Sequence, residues 1–320
     1  MYPAQMLMMN PLIRSSVSMP RGDNMLSRLV AVIICVHLLA CASVAGEPET
    51  SSISQETTQA QNGLATIPVL VLDRHGNPLT DLNQNELELY EGKEEQVIES
   101  LTRNPEAPVK IGFLIDRSKS LAGSLAGLKL RDDPNPAEGL LRTGDHAFVV
   151  MFTEIATRVC PLISDLGEIN EAIHTGVTAN PSGGVTSLYD AIFGACGELS
   201  TQSGRKAVVI LSDMEDDASH HTREEATVLA QRSGIVIYPI LLRESGPRSE
   251  RVSRLIAGQT GGVPFAASGP KALKTAFRSI RADLDGTFII AYRPKSQGRV
   301  SIKVRCTRKG VRIVAPDWRY

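Results

Sequence analysis

Three short polar segments of this 320-residue chain are dense in oxygen donors. The first, Asp116-Arg117-Ser118-Lys119-Ser120, follows an apolar run at 109–115. The second, Gly183-Gly184-Val185-Thr186-Ser187-Leu188-Tyr189-Asp190, is a glycine-rich loop opening a helix-like stretch. The third, Ser212-Asp213-Met214-Glu215-Asp216-Asp217, follows an apolar run at 207–211. Only hydroxyl and carboxylate oxygens are common to all three. That chemistry suits a hard cation such as magnesium, calcium or manganese, with waters completing the shell; zinc or copper would want imidazole or thiolate. Composition alone yields Asp-x-Ser-x-Ser in roughly one chain in ten of this length. The weight therefore falls on its place at the end of an apolar run, and on its order with Thr186 and Asp213.

Such segments meet only if the elements behind them converge. Short, nearly continuous apolar runs at 109–115, 147–152, 207–211 and 235–240 read as buried parallel strands. Between them lie helical patterns. Residues 188–199 place Leu188, Ile192, Ala195 and Leu199 on one face. Residues 222–233 carry Glu224 and Glu225 in the first turn, where the helix dipole favours acid. Further helices are expected at 249–259 and 270–284, and Gly261-Gly262 is expected as a turn into an edge strand. The first helical region, 121–130, is broken by Arg131-Asp132-Asp133-Pro134-Asn135-Pro136, with a short helix expected at 137–141. Alternation of strand and helix predicts an α/β fold with a doubly wound, mostly parallel, Rossmann-like sheet over 108–284. Ligands in such sheets bind beyond the carboxyl ends of the strands at the topological switch point, where the first and third segments would fall. A small β unit precedes this domain at 63–107, with strands near 67–73, 87–92 and 97–101 and a turn at Arg74-His75-Gly76-Asn77. Strand-like segments at 287–292, 299–306 and 311–315 follow within 285–320, and are expected to pack with that front unit.

The N-terminus reads as a leader, residues 1–46. An apolar run of about a dozen residues at 29–40, flanked by Arg21 and Arg28, is short for a membrane span and typical of a signal-peptide core. Leu38-Leu39-Ala40-Cys41 resembles a bacterial lipobox, which would anchor the chain to the membrane through a lipidated Cys41. Ser43-Val44-Ala45 before Gly46 resembles an ordinary cleavage site. A retained anchor helix is the third exit, and Met25 makes a more compact start. Every route places the rest of the chain outside the cytoplasm: periplasm, cell envelope or extracellular space. Residues 47–62 lack apolar period and read as a flexible linker. Apolar residues make up 42% of the chain and aromatics 4%, which predicts an aliphatic core, and a net charge of −1 gives no basic footprint for nucleic acid. Beyond the leader only Cys160, Cys196 and Cys306 remain, in no zinc-like spacing, as buried thiols or with one disulfide.

In order and context, Asp116, Ser118, Ser120, Thr186 and Asp213 resemble the metal-ion-dependent adhesion site of the von Willebrand factor type A (VWA) family. Gly183-Gly184 with Leu188-Tyr189-Asp190-Ala191-Ile192 is similar to bacterial members, and the flanks, ending in Trp318 and Tyr320, resemble an exported bacterial subgroup. The resemblance implies the VWA fold and a divalent cation, Mg2+ first with Mn2+ or Ca2+ as alternatives. It implies direct ligation by Ser118 and Ser120, ligation by Thr186 directly or through water, and action through water by Asp116 and Asp213. It further implies a position left open for a protein partner's carboxylate, and no enzymatic activity. Two residues depart from the pattern: Lys119 and Met214 stand where the family usually has glycine. Other readings are a metal-independent envelope scaffold and, more distantly, a hydrolase. Glu215, Asp216 and Asp217 read as a solvated acidic loop capping the next helix rather than as an acid/base pair. His220-His221 read as exposed rather than as ligands. No Gly-x-Ser-x-Gly elbow or phosphate loop is present in the sequence.

Overall fold

The computed structural model describes residues 63–319, apart from 122–123, 126–132, 134, 180–183 and 243–245. The leader and linker, Cys41, Gly183, Tyr320 and most of the expected broken helix at 121–130 lie outside the described residues.

The chain opens with β1 (Ala65–Leu72), β2 (Leu87–Glu91), β3 (Glu94–Gln96) and β4 (Ile98–Thr102), then enters the α/β domain through β5 (Val109–Asp116), β6 (His146–Phe152) and β7 (Ala156–Ile163). Next come α1 (Leu166–Thr178), α2 (Leu188–Ser200), β8 (Arg205–Ser212), α3 (Arg223–Arg232), β9 (Ile235–Leu241), α4 (Pro247–Thr260), β10 (Phe265–Ala266) and α5 (Pro270–Gly286). The chain closes with β11 (Phe288–Tyr292), β12 (Val300–Cys306), β13 (Arg312–Val314) and β14 (Trp318–Arg319). The central six-stranded sheet runs β10-β9-β8-β5-β6-β7. All its pairings are parallel except the β6–β7 hairpin at the edge. This is the doubly wound, mostly parallel sheet that the apolar runs predict.

Both faces of the sheet are covered, which is why its strands read as continuous apolar runs. Val109, Ile111, Phe113 and Ile115 of β5 point into a layer with α1 and α5, through Ile169, Ile173, Phe277 and Ile280. Leu114, Val208 and Ile210 point into the opposite layer with α2, α3 and α4, through Ile192, Ala230 and Ile256. Gly112 permits a close crossing there: a Cβ would stand 2.5 Å from Cζ of Phe148. Cys160 and Cys196 lie buried in opposite layers, and the described cysteines are free thiols. Two helix starts carry side-chain caps. Asp165 accepts from the Glu168 N–H at α1, and Thr222 with Glu225 forms a reciprocal capping box at α3.

Within the α/β domain, sequence reading and structure differ at several elements. The short helix expected at 137–141 is a set of turns, broken by Gly139 at φ +85°. Strand β7 and helix α1 were not expected at all.

The flanking strands form two antiparallel four-stranded sheets, β13-β1-β11-β4 and β14-β12-β2-β3. Ile67, Val69 and Val71 meet Phe288, Ile290 and Tyr292, with Leu87, Leu89 and Ile302, in one core. The small β-rich unit is thus assembled from both flanks, as the fold class predicts. Among the described residues no helix is long and apolar enough to cross a membrane.

Candidate metal centre

Strand β5 is followed in the sheet by β6 on one side, while β8 lies on its other side. The strand order reverses between β5 and β8, so their carboxyl ends form the topological switch point. Asp116 is the last residue of β5 and Ser212 the last of β8.

The turn after β5 is folded by Asp116 itself. One carboxylate oxygen accepts the Ser118 N–H at 2.8 Å, and the other accepts the Ser212 hydroxyl at 2.6 Å. The Ser212 hydroxyl in turn accepts the Met214 N–H at 2.9 Å, which fixes the third loop. Ser118 Oγ lies 3.0 Å from Ser120 Oγ, and Ser120 Oγ donates to Asp213 Oδ2 at 2.7 Å. Direct bonds therefore join Ser118, Ser120 and Asp213, with Asp116 behind them. Thr186 is brought in through its loop. Its carbonyl accepts the N–H groups of Asp217 (2.8 Å) and Ala218 (3.1 Å), while the Ser187 N–H donates to the Thr153 carbonyl at 2.8 Å. Asp116, Ser118, Thr186 and Asp213 are buried, and Ser120 is exposed at the mouth.

Burial raises the Asp116 pKa to about 6, against the opposing bonds from Ser212 and Ser118; the charge of Asp213 adds to the rise. The buried Ser187 hydroxyl has no hydrogen-bond partner. Two buried carboxylates, convergent hydroxyls and an orphaned oxygen are a donor set that fits a hard divalent cation. Among the described residues no group of three or more His, Cys, Asp or Glu side chains is arranged to hold a metal.

Three residues matter that sequence reading did not assign. Ser212 orients Asp116. Arg117 is buried, and its guanidinium donates to the carbonyls of Gly176, at 2.7 Å, and Ala179, at the C-terminal end of α1. Ser219 accepts the N–H groups of Tyr189 (3.0 Å) and Asp190 (3.1 Å), capping α2, whose Ser187 gives no side-chain cap. Asp216 belongs to that cap, through Ser219 Oγ at 2.5 Å and the Tyr189 N–H at 3.3 Å. This corrects the expectation that the acidic loop caps the helix after it; Thr222 does that. The two histidines turn to Asp190, whose carboxylate meets both backbone N–H groups and both Nδ1 atoms, at 3.1 Å for His220 and 2.7 Å for His221. Burial of that carboxylate is outweighed by these four bonds, which hold its pKa well below the usual range.

The departures from glycine have different consequences. Lys119 sits exposed on a 3-10 turn, Lys119–Leu121. Met214 takes φ +60°, the one non-glycine residue at positive φ among the described residues, with its side chain buried in the α2–α4 layer.

No protein-family model matches the sequence, and no curated protein matches it. Solved structures do match. An aerotolerance-related membrane protein from Bacteroides fragilis is 18% identical over 55% of this chain and 98% of its own, at a TM-score of 0.43. A von Willebrand factor type A protein from Catenulispora acidiphila is 14% identical over 79% of this chain and 72% of its own, at 0.46. Proximal thread matrix protein 1 from the mussel byssus, with a zinc-occupied MIDAS motif, is 20% identical over 62% of this chain and 50% of its own, at 0.46. These are likenesses between chains; the site described above stands on this chain's own residues.

Proposed function

We propose that this chain is a VWA-type binding module that holds a divalent cation, Mg2+ foremost, at Asp116, Ser118, Ser120, Thr186 and Asp213. Through that ion it binds a protein partner outside the cytoplasm. The observation that carries this reading is the bonded run Ser118–Ser120–Asp213 at the switch point, backed by buried Asp116. A bound cation supplies a Lewis-acidic position that a partner's carboxylate can fill. The chain's residues do the rest: Asp116 and Ser212 set the first and third loops, and Ser120 leaves the mouth open to solvent. A protein partner suits the rim. Ile155, at the tip of the β6–β7 hairpin, is 74% exposed and Val185 is 39% exposed, on neighbouring loops joined by the Ser187–Thr153 bond. No catalytic role is assigned to Ser118 or Ser120, whose hydroxyls meet each other and Asp213. The second reading, a metal-independent envelope scaffold, is favoured by the cations Arg117 and Lys119 in the first loop.

A pull-down from envelope extract separates the two. Wild-type chain is expected to retain a partner that chelator releases and that Asp116→Ala does not retain. Retention of the same partner by both proteins, with and without chelator, would establish the scaffold instead.

A further inference from the structure

The amino ends of the central strands carry a row of bases that the metal centre does not use. In the sheet register His146 of β6 stands beside Lys110 of β5, and Lys110 beside Lys206 of β8. Residues paired in this way project to one face of the sheet. Here it is the face covered by α2, since the next residues on that face of β6 and β8, Phe148 and Val208, lie in the α2–α4 layer. Adjacent strands are about 4.8 Å apart, so the three bases share a strip roughly 10 Å wide. All three are half-buried. The Lys206 ammonium donates to the Gln202 carbonyl at 3.0 Å, and the Lys110 ammonium to the Ser203 carbonyl at 2.9 Å, both in the loop after α2. An ammonium has three donors, so each keeps N–H groups to spare. Among the described residues neither is paired with a carboxylate. Burial, with the Lys110 charge second, holds Lys206 below the usual lysine range. Beside them, His146 Nδ1 is buried and has no hydrogen-bond partner.

Neighbouring charges of both signs are engaged elsewhere. Arg205 reaches Asp285, Asp145 holds Arg281, and Glu198 of α2 pairs with Arg158 at 2.8 Å. Glu106 is exposed, and counted in full it cancels one of the two ammoniums. We infer that Lys110, Lys206 and His146 form a second binding site, for a phosphate group, at the end of the sheet opposite the metal loops. The two ammoniums match a dianion, and the several acceptors on each phosphate oxygen take their spare donors. His146 Nδ1 accepts from a P–OH when neutral and donates to an oxygen when protonated, so imidazole and phosphate share one proton in either form. A carboxylate carries one charge, which leaves the second ammonium uncompensated. Lys110 lies about 20 Å along β5 from Asp116, so the site does not depend on the cation reading.

The test is calorimetric titration of inorganic phosphate into the purified chain in chloride buffer, with melting temperature followed in parallel. Wild type is compared with Lys110→Gln, Lys206→Gln, His146→Leu and a control, Lys303→Gln, which removes an exposed lysine of β12. Saturable binding with a raised melting temperature is expected in wild type and in the control. Each of the other lysine variants should weaken it about five- to twentyfold, the effect of one unit charge at about 4–5 Å and an effective dielectric of about 40–80. His146→Leu should weaken it as well. Equal affinity in wild type, Lys110→Gln and Lys206→Gln overturns the inference, and so does an equal loss in Lys303→Gln. No heat and no melting shift in wild type overturns it too. Sedimentation with phosphatidylglycerol and phosphatidylcholine vesicles tells the source of the phosphate apart. Binding to the anionic vesicles that Lys110→Gln and Lys206→Gln lose assigns the site to a lipid headgroup; phosphate binding without vesicle binding assigns it to a free phosphate.

Discussion

At the scale of single residues, the site shows which positions are set by backbone and which by charge. Met214 occupies a left-handed conformation, where a side chain costs about 1–2 kcal/mol, yet it buries that side chain in the α2–α4 layer. At most buried positions glycine is worse than alanine by about 1 kcal/mol. Here the order should reverse: both variants lose the packing, and only Met214→Gly is relieved of the strain. Urea unfolding should place Met214→Gly above Met214→Ala, and the opposite ranking would show that φ is not what limits this position. Asp283 gives a pH dependence. Burial raises its pKa from 3.8 to about 7, opposed by Arg312. A raised carboxylate favours folding while protonated, so its contribution is complete below the unfolded pKa and is lost as pH rises through about 7. Asp283→Asn should therefore lose less stability than wild type between pH 4 and pH 8; parallel profiles would contradict this. That Asp116, Ser118, Ser120 and Asp213 lie near one another was readable because their segments follow the apolar runs that form β5 and β8. Ser212 and Arg117 were not readable, since nothing in sequence separates a buried arginine capping a helix end from an exposed one.

At the scale of elements, the third loop holds more than it exposes. Ser219 and Asp216 cap α2, and Asp190 in the first turn of α2 grips both histidines, so loop and helix fix each other. Ser219→Ala should cost about 1 kcal/mol, read as a fall in urea midpoint at unchanged slope. No change would mean that the cap is replaced by water. Helices α2 to α5 were legible, α2 from its apolar face and α3 from the acids of its first turn. Helix α1 was missed although Ile169, Ile173 and Val177 repeat at four-residue spacing; its β-branched residues and Thr175 and Thr178 dilute the signal. Strand β7 was missed because its first four residues are exposed and Pro161 interrupts it, as suits an edge strand.

At the scale of the whole molecule, two buried knots join distant sequence. Glu91 receives Tyr292 Oη at 2.9 Å and Arg319 at 2.6 Å, tying β2, β11 and β14 across the β unit. Asp145 receives Arg281 of α5 at 2.7 Å and the Val109 N–H at 2.8 Å, tying α5 to the start of β5. Breaking a buried pair strands the remaining charge, so Arg281→Met should destabilise the chain by about 3–5 kcal/mol. A loss under 1 kcal/mol in urea unfolding would show that Asp145 finds water instead. The side-chain pairs Glu91–Tyr292, Glu91–Arg319 and Asp145–Arg281 each span more than a hundred residues, and no local pattern announces them, whereas the sheet they brace was legible from its apolar runs. The same sheet brings Asp116 and Asp213 together from 97 positions apart in sequence. The most direct test is therefore to titrate Mg2+ into the purified chain and into Ser118→Ala, following heat and melting temperature. Saturable binding with a raised melting temperature in wild type, both lost in Ser118→Ala, is the predicted result. No heat and no shift in wild type, or equal binding by the two proteins, would contradict a metal centre at these loops.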